Sequence, residues 1–133
     1  MKDNNNDNIY IAAGLGVLAL GIGKIIKDKK ETKRRTSISI SYTNLLPKEL
    51  FEKIVIEEAK KIKRLYARVS NGIVYGEVKS VSGLSSWSFS LDFNDYGRIS
   101  GKYWVHSENK DSTIPSVFGR NIQNSLGQYI QNE

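Results

Sequence analysis

The sequence predicts an α+β protein in which a single transmembrane helix precedes a small soluble domain. Three observations lead to this fold class. An uncharged apolar run lies near the start of the chain and ends in a dense group of cations. Two later segments repeat apolar residues every three or four positions, which is typical of amphipathic helices. Between them, strict alternation over Ser86–Phe93 indicates a strand with one buried face and one solvated face.

The apolar run Ile9–Ile26 is the predicted membrane anchor. Its 18 residues would form a helix about 27 Å long, against a hydrocarbon core of about 30 Å. A cleaved signal peptide is one alternative, but the preceding residues carry no net positive charge and no small-residue cleavage site follows. A buried core helix is another, but the run has no polar face to turn toward water. We therefore favour a single-pass helix of the signal-anchor type.

Small residues follow one face of this predicted helix at spacings of four, three and four. They are Ala12, Gly16, Ala19 and Gly23. Such a face lets a second helix approach closely within a bilayer. The pattern indicates lateral pairing or self-association through the span, with a merely glycine-rich span as the alternative.

A basic juxtamembrane segment, residues 27–35, follows the anchor, either as a fraying extension of its helix or as a short linker. Together with the last cation of the span it forms a cationic collar, which consists of Lys24, Lys27, Lys29, Lys30, Lys33, Arg34 and Arg35. The collar supplies most of the formal net charge of +6. Each well-placed cation gains about 1 kcal/mol beside anionic lipid, so lipid headgroups of the inner leaflet are a predicted partner.

The cation excess on one side of the span also predicts its orientation in the cell membrane. The positive side stays in the cytoplasm. The polar N-terminal tail, residues 1–8, is therefore expected outside and disordered. The soluble domain, residues 36–133, is expected inside. The absence of cysteine fits a reducing compartment.

The soluble domain is predicted to have the order α-β-β-β-α. Its elements are a helix from Pro47 to Val69 that stops at Asn71-Gly72, strands over Ile73–Ser82, Ser86–Phe93 and Arg98–Ser107, and a helix from Pro115. The stretch Ser37–Thr43 alternates too, so it is either a fourth strand or a tether. The antiparallel sheet therefore has three strands, or four with this addition.

One strand determines where the core lies. In Ser86–Phe93 the apolar side chains of Trp87, Phe89, Leu91 and Phe93 share one face. Both predicted helices have an apolar stripe to bury, and the economical arrangement places both on that face of the sheet.

The predicted order is similar to that of double-stranded RNA-binding domains, in topology alone. Those domains place a lysine cluster at the start of their second helix to meet phosphates. The matching stretch here, residues 113–121, has Arg120 as its one cation. The sequence therefore argues against nucleic acid as the partner.

A second group of cations lies in the later half of the predicted first helix. It consists of Lys60, Lys61, Lys63, Arg64 and Arg68. The group is either an ordinary solvated face matched to the helix dipole or a surface for phosphates, lipid headgroups or an acidic partner.

A contact surface is predicted around Trp104, which shares the polar face of its strand with Lys102 and His106. An exposed tryptophan among charges is typical of an interface anchor. Alternatively, Trp104 packs beneath Ser37–Thr43 or a helix end. With Arg98 nearby, the predicted partner-binding residues are Trp104, His106, Arg98 and Lys102.

The sequence offers few groups for catalysis. His106, with Glu108 and Asp111, is the one candidate for a metal site or an acid/base pair, but zinc usually needs three or four suitable ligands. The stretch that begins at Asp92 opens like a calcium loop, but Tyr103 stands where the twelfth position requires glutamate. Neither a P-loop nor a Ser/His/Asp set is present. We therefore expect no cofactor, no metal and no enzyme activity.

The sequence therefore predicts a membrane-anchored, non-catalytic interaction module that presents a small cytoplasmic α+β domain to a protein partner in a membrane-associated assembly. An alternative is a nucleic-acid or anionic-lipid-binding domain that uses the cationic collar and the first helix. A small hydrolase around His106 is a further alternative.

Overall fold

The computed structural model describes residues 24–25 and 29–130 of the chain. The elements in chain order are β1 (Lys24–Ile25), α1 (Lys29–Thr36), α2 (Lys48–Lys60), β2 (Leu65–Ser70), β3 (Ile73–Lys79), β4 (Ser86–Asn94), β5 (Ile99–Ser107) and α3 (Ile114–Leu126).

The protein is an α+β domain built on a four-stranded antiparallel sheet. Strands β2 to β5 follow one another as hairpins, and the sheet order is β1-β5-β4-β3-β2. The two residues of β1 add a short parallel strand beside β5, where Lys24 is level with Trp104. The hairpins β2–β3 and β4–β5 turn at one end of the sheet, and β3–β4 turns at the other.

Helices α2 and α3 cover the same face of the sheet. Phe51 of α2 meets the ring of Phe93 edge-on at 5.9 Å between centroids, and Phe118 of α3 meets Phe89 at 6.1 Å. Both partners lie on the apolar face of β4, which the alternation in the sequence predicts. The two helices also touch one another, since the Ser125 hydroxyl donates to the Glu58 carboxylate at 3.0 Å.

Strand β2 corrects the predicted first helix. Helix α2 ends at Lys60, and Leu65–Ser70 is extended instead of helical. The spacing of Leu65 and Val69 fits one helical turn, but Leu65 and Val69 also share the inner face of a strand. Asn71 and Gly72 have φ of +52° and +78°, and they form a two-residue hairpin turn instead of a helix stop. Because β2 adds a strand between α2 and β3, the order of elements no longer matches that of double-stranded RNA-binding domains.

The stretch Ser37–Thr43 is neither a strand nor a loose tether. Side chains and backbone of two hairpin turns hold it: Asn71 Oδ1 accepts the N–H of Ile40 at 2.9 Å, and the Ser41 N–H donates to Gly97 O at 2.8 Å. The stretch also passes close to both turn glycines. A Cβ atom added to Gly72 would stand 2.8 Å from Ile40, and one added to Gly97 would stand 2.7 Å from Ile38.

The described part of the predicted juxtamembrane segment is helical, because α1 spans Lys29–Thr36. It packs on β4, on the sheet face opposite α2 and α3. Lys24 and Ile25, which were predicted to belong to the anchor helix, form β1. The other residues of the predicted span, including its small-residue face, lie outside the described residues. Within residues 24–25 and 29–130, no helix has the length and apolar character needed to cross a bilayer.

Gly76→Ala is expected to destabilise the domain by about 1–3 kcal/mol, the usual cost of overpacking. A Cβ at position 76 would stand 2.4 Å from the Phe89 ring, which is itself held by Phe118 and Trp87. Urea unfolding monitored by circular dichroism measures the change. The control is Glu77→Ala, an exposed neighbour, with an expected change within about 0.5 kcal/mol. Equal stabilities of the two variants would contradict the close contact of β3 and β4.

Candidate interaction face of the sheet

The face of the sheet opposite α2 and α3, called here the outer face, carries polar and aromatic side chains. Cross-strand register brings them into rows, which contain Arg68, Tyr75, Ser90 and His106 in one row, Tyr66, Glu77 and Ser88 in a second, and Ile73, Asp92 and Trp104 in a third. Because α1 packs on β4 near Asp92, it covers the third row. The first two rows are left open, and their exposed side chains are Tyr66, Arg68, Glu77, Ser88 and His106.

Arg35 fixes α1 to this face. Its guanidinium pairs with Asp92 Oδ2 at 3.2 Å, donates to the Asn94 carbonyl at 2.6 Å and stacks on the Trp104 ring at 3.9 Å. Arg35 is 2% exposed and Asp92 3%. Burial raises the pKa of Asp92, while the Arg35 charge and the N–H of Asn94 act in the opposite direction. A charge pair this deeply buried depends on its full set of hydrogen bonds.

The burial of Arg35 therefore corrects the prediction for one member of the cationic collar. It was expected to face lipid headgroups, but it is buried against the sheet. Lys30, Lys33 and Arg34 of the same helix are exposed. Arg34 makes a surface pair with Glu31 at 3.0 Å. The side chains of Lys24, Lys27 and Lys29 lie outside the described residues.

Two asparagines at the hairpin turns direct the chain that leaves α1. Asn94 Nδ2 donates to the carbonyl of Ile38 at 2.9 Å, and Asn71 Nδ2 donates to the carbonyl of Thr36 at 3.2 Å. Asn94 Oδ1 accepts the N–H of Gly97 at 2.9 Å, which closes the β4–β5 turn. Asn94 is fully buried. The connection from α1 to the domain therefore follows one defined path.

The open part of the outer face combines tyrosines with cations. The Arg68 guanidinium lies 4.4 Å from the Tyr75 ring, and Lys79 Nζ lies 5.4 Å from the Tyr66 ring. Tyr66 is 57% exposed. These residues border an open depression of about 290 Å³ that also touches Glu77 and Ser88. Tyr66 was not predicted in this surface because its segment was assigned to a helix, and Tyr75, on a correctly predicted strand, then had no neighbouring strand to pair with. The alternation of Leu65, Ala67 and Val69 was the signal that could have revealed them.

The structure brings together three of the four predicted partner-binding residues. Lys102, Trp104 and His106 lie on the outer face of β5. Trp104 is half-buried beneath Arg35, which matches the alternative that it packs under a helix end. Arg98 is separate, because it follows the β4–β5 turn and borders another cavity of about 290 Å³ with Tyr42, Ile99, Tyr129 and Ile130 among its lining residues.

The groups around His106 do not assemble into a metal site. Glu108 Oε1 accepts the N–H of Ser88 at 2.7 Å, at the end of the β4–β5 pair. In the part of the chain that the structure describes, no group of three His, Asp or Glu side chains could hold a metal ion. Partial loss of hydration, together with the nearby Arg35 charge, lowers the pKa of His106.

His106→Gln is expected to make the domain less sensitive to mild acid. The pKa of His106 is lowered in the folded state, so the unfolded chain takes up this proton first as the pH falls through about 6.5. Stability is then lost with falling pH, because the unfolded state binds more protons. Urea unfolding between about pH 7.5 and about pH 5.5 measures how steeply the free energy of unfolding changes with pH. A variant whose slope equals that of the unmodified chain would show that His106 does not contribute.

No protein-family model, curated protein or solved structure matches the chain.

Proposed function

We propose that the protein is a membrane-anchored, non-catalytic interaction module, which holds its α+β domain at the cytoplasmic face of the cell membrane and presents the outer face of the sheet to a protein partner. The observation that carries this proposal is the burial of Arg35. Helix α1, which follows the predicted anchor in the sequence, is packed on the sheet and is therefore part of the domain.

The fixed attachment of α1 matters for recognition. A flexible tether leaves a domain free to rotate, and a partner that binds two elements must then order them at an entropic cost. In this protein the ordering takes place during folding, because α1 and the chain after it are fixed on the sheet by Arg35, Asn71 and Asn94. The outer face then keeps one orientation relative to α1. The exposed cations of α1, which are Lys30, Lys33 and Arg34, are placed to contact anionic headgroups.

The chemistry of the open rows fits a protein partner. Tyrosine and arginine are enriched in the energetically dominant parts of interfaces, since each offers a large contact area with a polar end. Tyr66, Arg68 and Tyr75 are adjacent across β2 and β3. Glu77 and His106 add hydrogen-bonding groups at the sides of the same surface. The mixture of charge signs favours a protein over the uniformly negative backbone of a nucleic acid.

Site-specific photo-crosslinking of the full chain tests this proposal. A photoreactive phenylalanine analogue at Tyr66 or Tyr75 preserves an aromatic ring on the outer face. Val117, 44% exposed on α3, is the control position on the helical side. In cells that naturally make the protein, we expect one reproducible protein adduct from positions 66 and 75 and none from 117. Adducts from 117 alone, or from no position, would overturn the assignment of the outer face.

A further inference from the structure

The turn between β3 and β4, residues 80–85, exposes the two most accessible large apolar side chains among those described. Val81 is 86% exposed and Leu84 is 90% exposed. The turn, Ser-Val-Ser-Gly-Leu-Ser, carries no charge. Val81 was predicted to lie in a strand, but β3 ends at Lys79 and Val81 projects from the turn.

Four backbone N–H groups of this turn, those of Ser80, Gly83, Leu84 and Ser85, are bonded within it. The Ser80 N–H donates to the Ser85 carbonyl at 2.9 Å, and the Gly83 N–H donates to the Ser80 carbonyl at 3.0 Å. The Leu84 N–H donates to the Ser82 hydroxyl at 3.2 Å. Gly83, with φ of +78°, lets the chain reverse between the two apolar residues. These bonds lower the cost of moving the turn into a less polar medium, because fewer backbone groups then lose their hydrogen bonds to water.

Cations surround the base of the turn. The N–H of Lys79 donates to the Arg64 carbonyl and Arg64 Nε donates to the Lys79 carbonyl, both at 3.0 Å. These bonds hold the α2–β2 connection against the hairpin. The exposed cations at this end of the sheet lie at the end of α2, in the α2–β2 connection and at the end of β3. They are Lys60, Lys61, Lys63, Arg64 and Lys79. One of the five, Lys61, is paired with Glu58 at 3.1 Å.

We propose that the apolar turn inserts into the headgroup region of the anionic bilayer that carries the chain's own anchor, with the surrounding cations at the level of the lipid phosphates. Charge complementarity and the two outward aliphatic side chains favour this occupant. A nucleic acid would leave both aliphatic side chains without a partner. The chain's own bilayer is favoured because anchoring gives it a high effective concentration.

This contact rests on the membrane anchoring in the proposed function and shares one cation, Lys79, with the outer face. It uses the end of the sheet away from the turns at Asn71-Gly72 and Gly97, where the chain after α1 is attached. It also assigns a role to the cations of the α2–β2 connection, which the proposed function leaves unused.

Fluorescence of a single labelled site tests the insertion. The chain contains no cysteine, so Leu84→Cys in the full chain takes one environment-sensitive dye. The protein is incorporated into nanodiscs, where its own bilayer is the only lipid present. With phosphatidylserine in the disc, we expect a blue shift and protection from aqueous iodide, and neither with phosphatidylcholine alone. Tyr96→Cys, at the other end of the sheet and 49% exposed, is the matched control.

A charge variant gives the second arm of the test. Lys63→Glu, an exposed position in the α2–β2 connection, should lower the ratio of inserted to free turn by at least about fivefold, the effect of losing one cation near an anionic surface. An unshifted dye at position 84, or an equal shift at position 96, would overturn the proposal. A shift that appears only when anionic vesicles are added would also overturn it, because the lipid would then belong to another bilayer. Unchanged thermal melting of each variant shows that the fold is intact.

Discussion

Arg35→Met is expected to lower the free energy of unfolding by about 3–5 kcal/mol, the usual cost of removing one member of a buried ion pair. Asp92 would remain 3% exposed without its counter-charge. The stacking of Arg35 on Trp104 would also be lost. Unfolding in urea, monitored by tryptophan fluorescence, measures the change. The loss has an upper limit, because α1 can detach from the sheet and let water reach Asp92.

Detachment of α1 has its own signature. Amide hydrogens of Ile40 and Ser41, which are bonded to Asn71 and Gly97, should exchange faster in Arg35→Met than in the unmodified chain. The control is Arg34→Met, where a surface pair with Glu31 is worth at most about 1 kcal/mol. The double variant Arg35→Met with Asp92→Asn should recover part of the loss, since no buried charge is then left unpaired. If Arg35→Met were no less stable than Arg34→Met, α1 would not be fixed to the domain and the proposed function would lose its carrying observation.

The sequence was most informative where a local pattern had one reading. The alternation in β4 is strict over Trp87, Phe89, Leu91 and Phe93, and the face it predicts is the one that α2 and α3 cover. The stretch from Leu65 to Val69 had two readings, because residues four apart share a side both in a helix and in a strand. Asn71-Gly72 was equally ambiguous, since both a helix stop and a tight hairpin use positive φ. Tertiary pairing with β3 decides the conformation.

The role of Arg35 had no local signal at all. It is one of seven cations in the cationic collar, and nothing in its neighbourhood distinguishes it from Arg34. What distinguishes it is Asp92, 57 positions away in the sequence, together with Trp104 on the adjacent strand. Long-range pairing of this kind is invisible to periodicity and composition. The same limit explains why Trp104 was recognised as unusual but could not be assigned to one of two roles.

Phe89→Asp is expected to abolish the folded state. Phe89 is 4% exposed and packs against Phe118, Trp87 and Gly76. Truncating a buried phenylalanine costs about 3–5 kcal/mol, and an unpaired carboxylate at the same position adds a desolvation cost of several kcal/mol. Domains of this kind are stable by only about 5–15 kcal/mol, so the combined loss removes most or all of the stability.

Ser86→Asp is the matched control for Phe89→Asp. It introduces the same carboxylate into the same strand, but at an exposed position directly across from Lys79. An opposite-charge pair across two strands contributes about 0.2–1 kcal/mol, so this variant should melt like the unmodified chain or slightly higher. Thermal melting monitored by circular dichroism compares the two. A cooperative transition retained in Phe89→Asp would mean that α2 and α3 are not held by this face of β4. The outer face would then have no fixed scaffold beneath it.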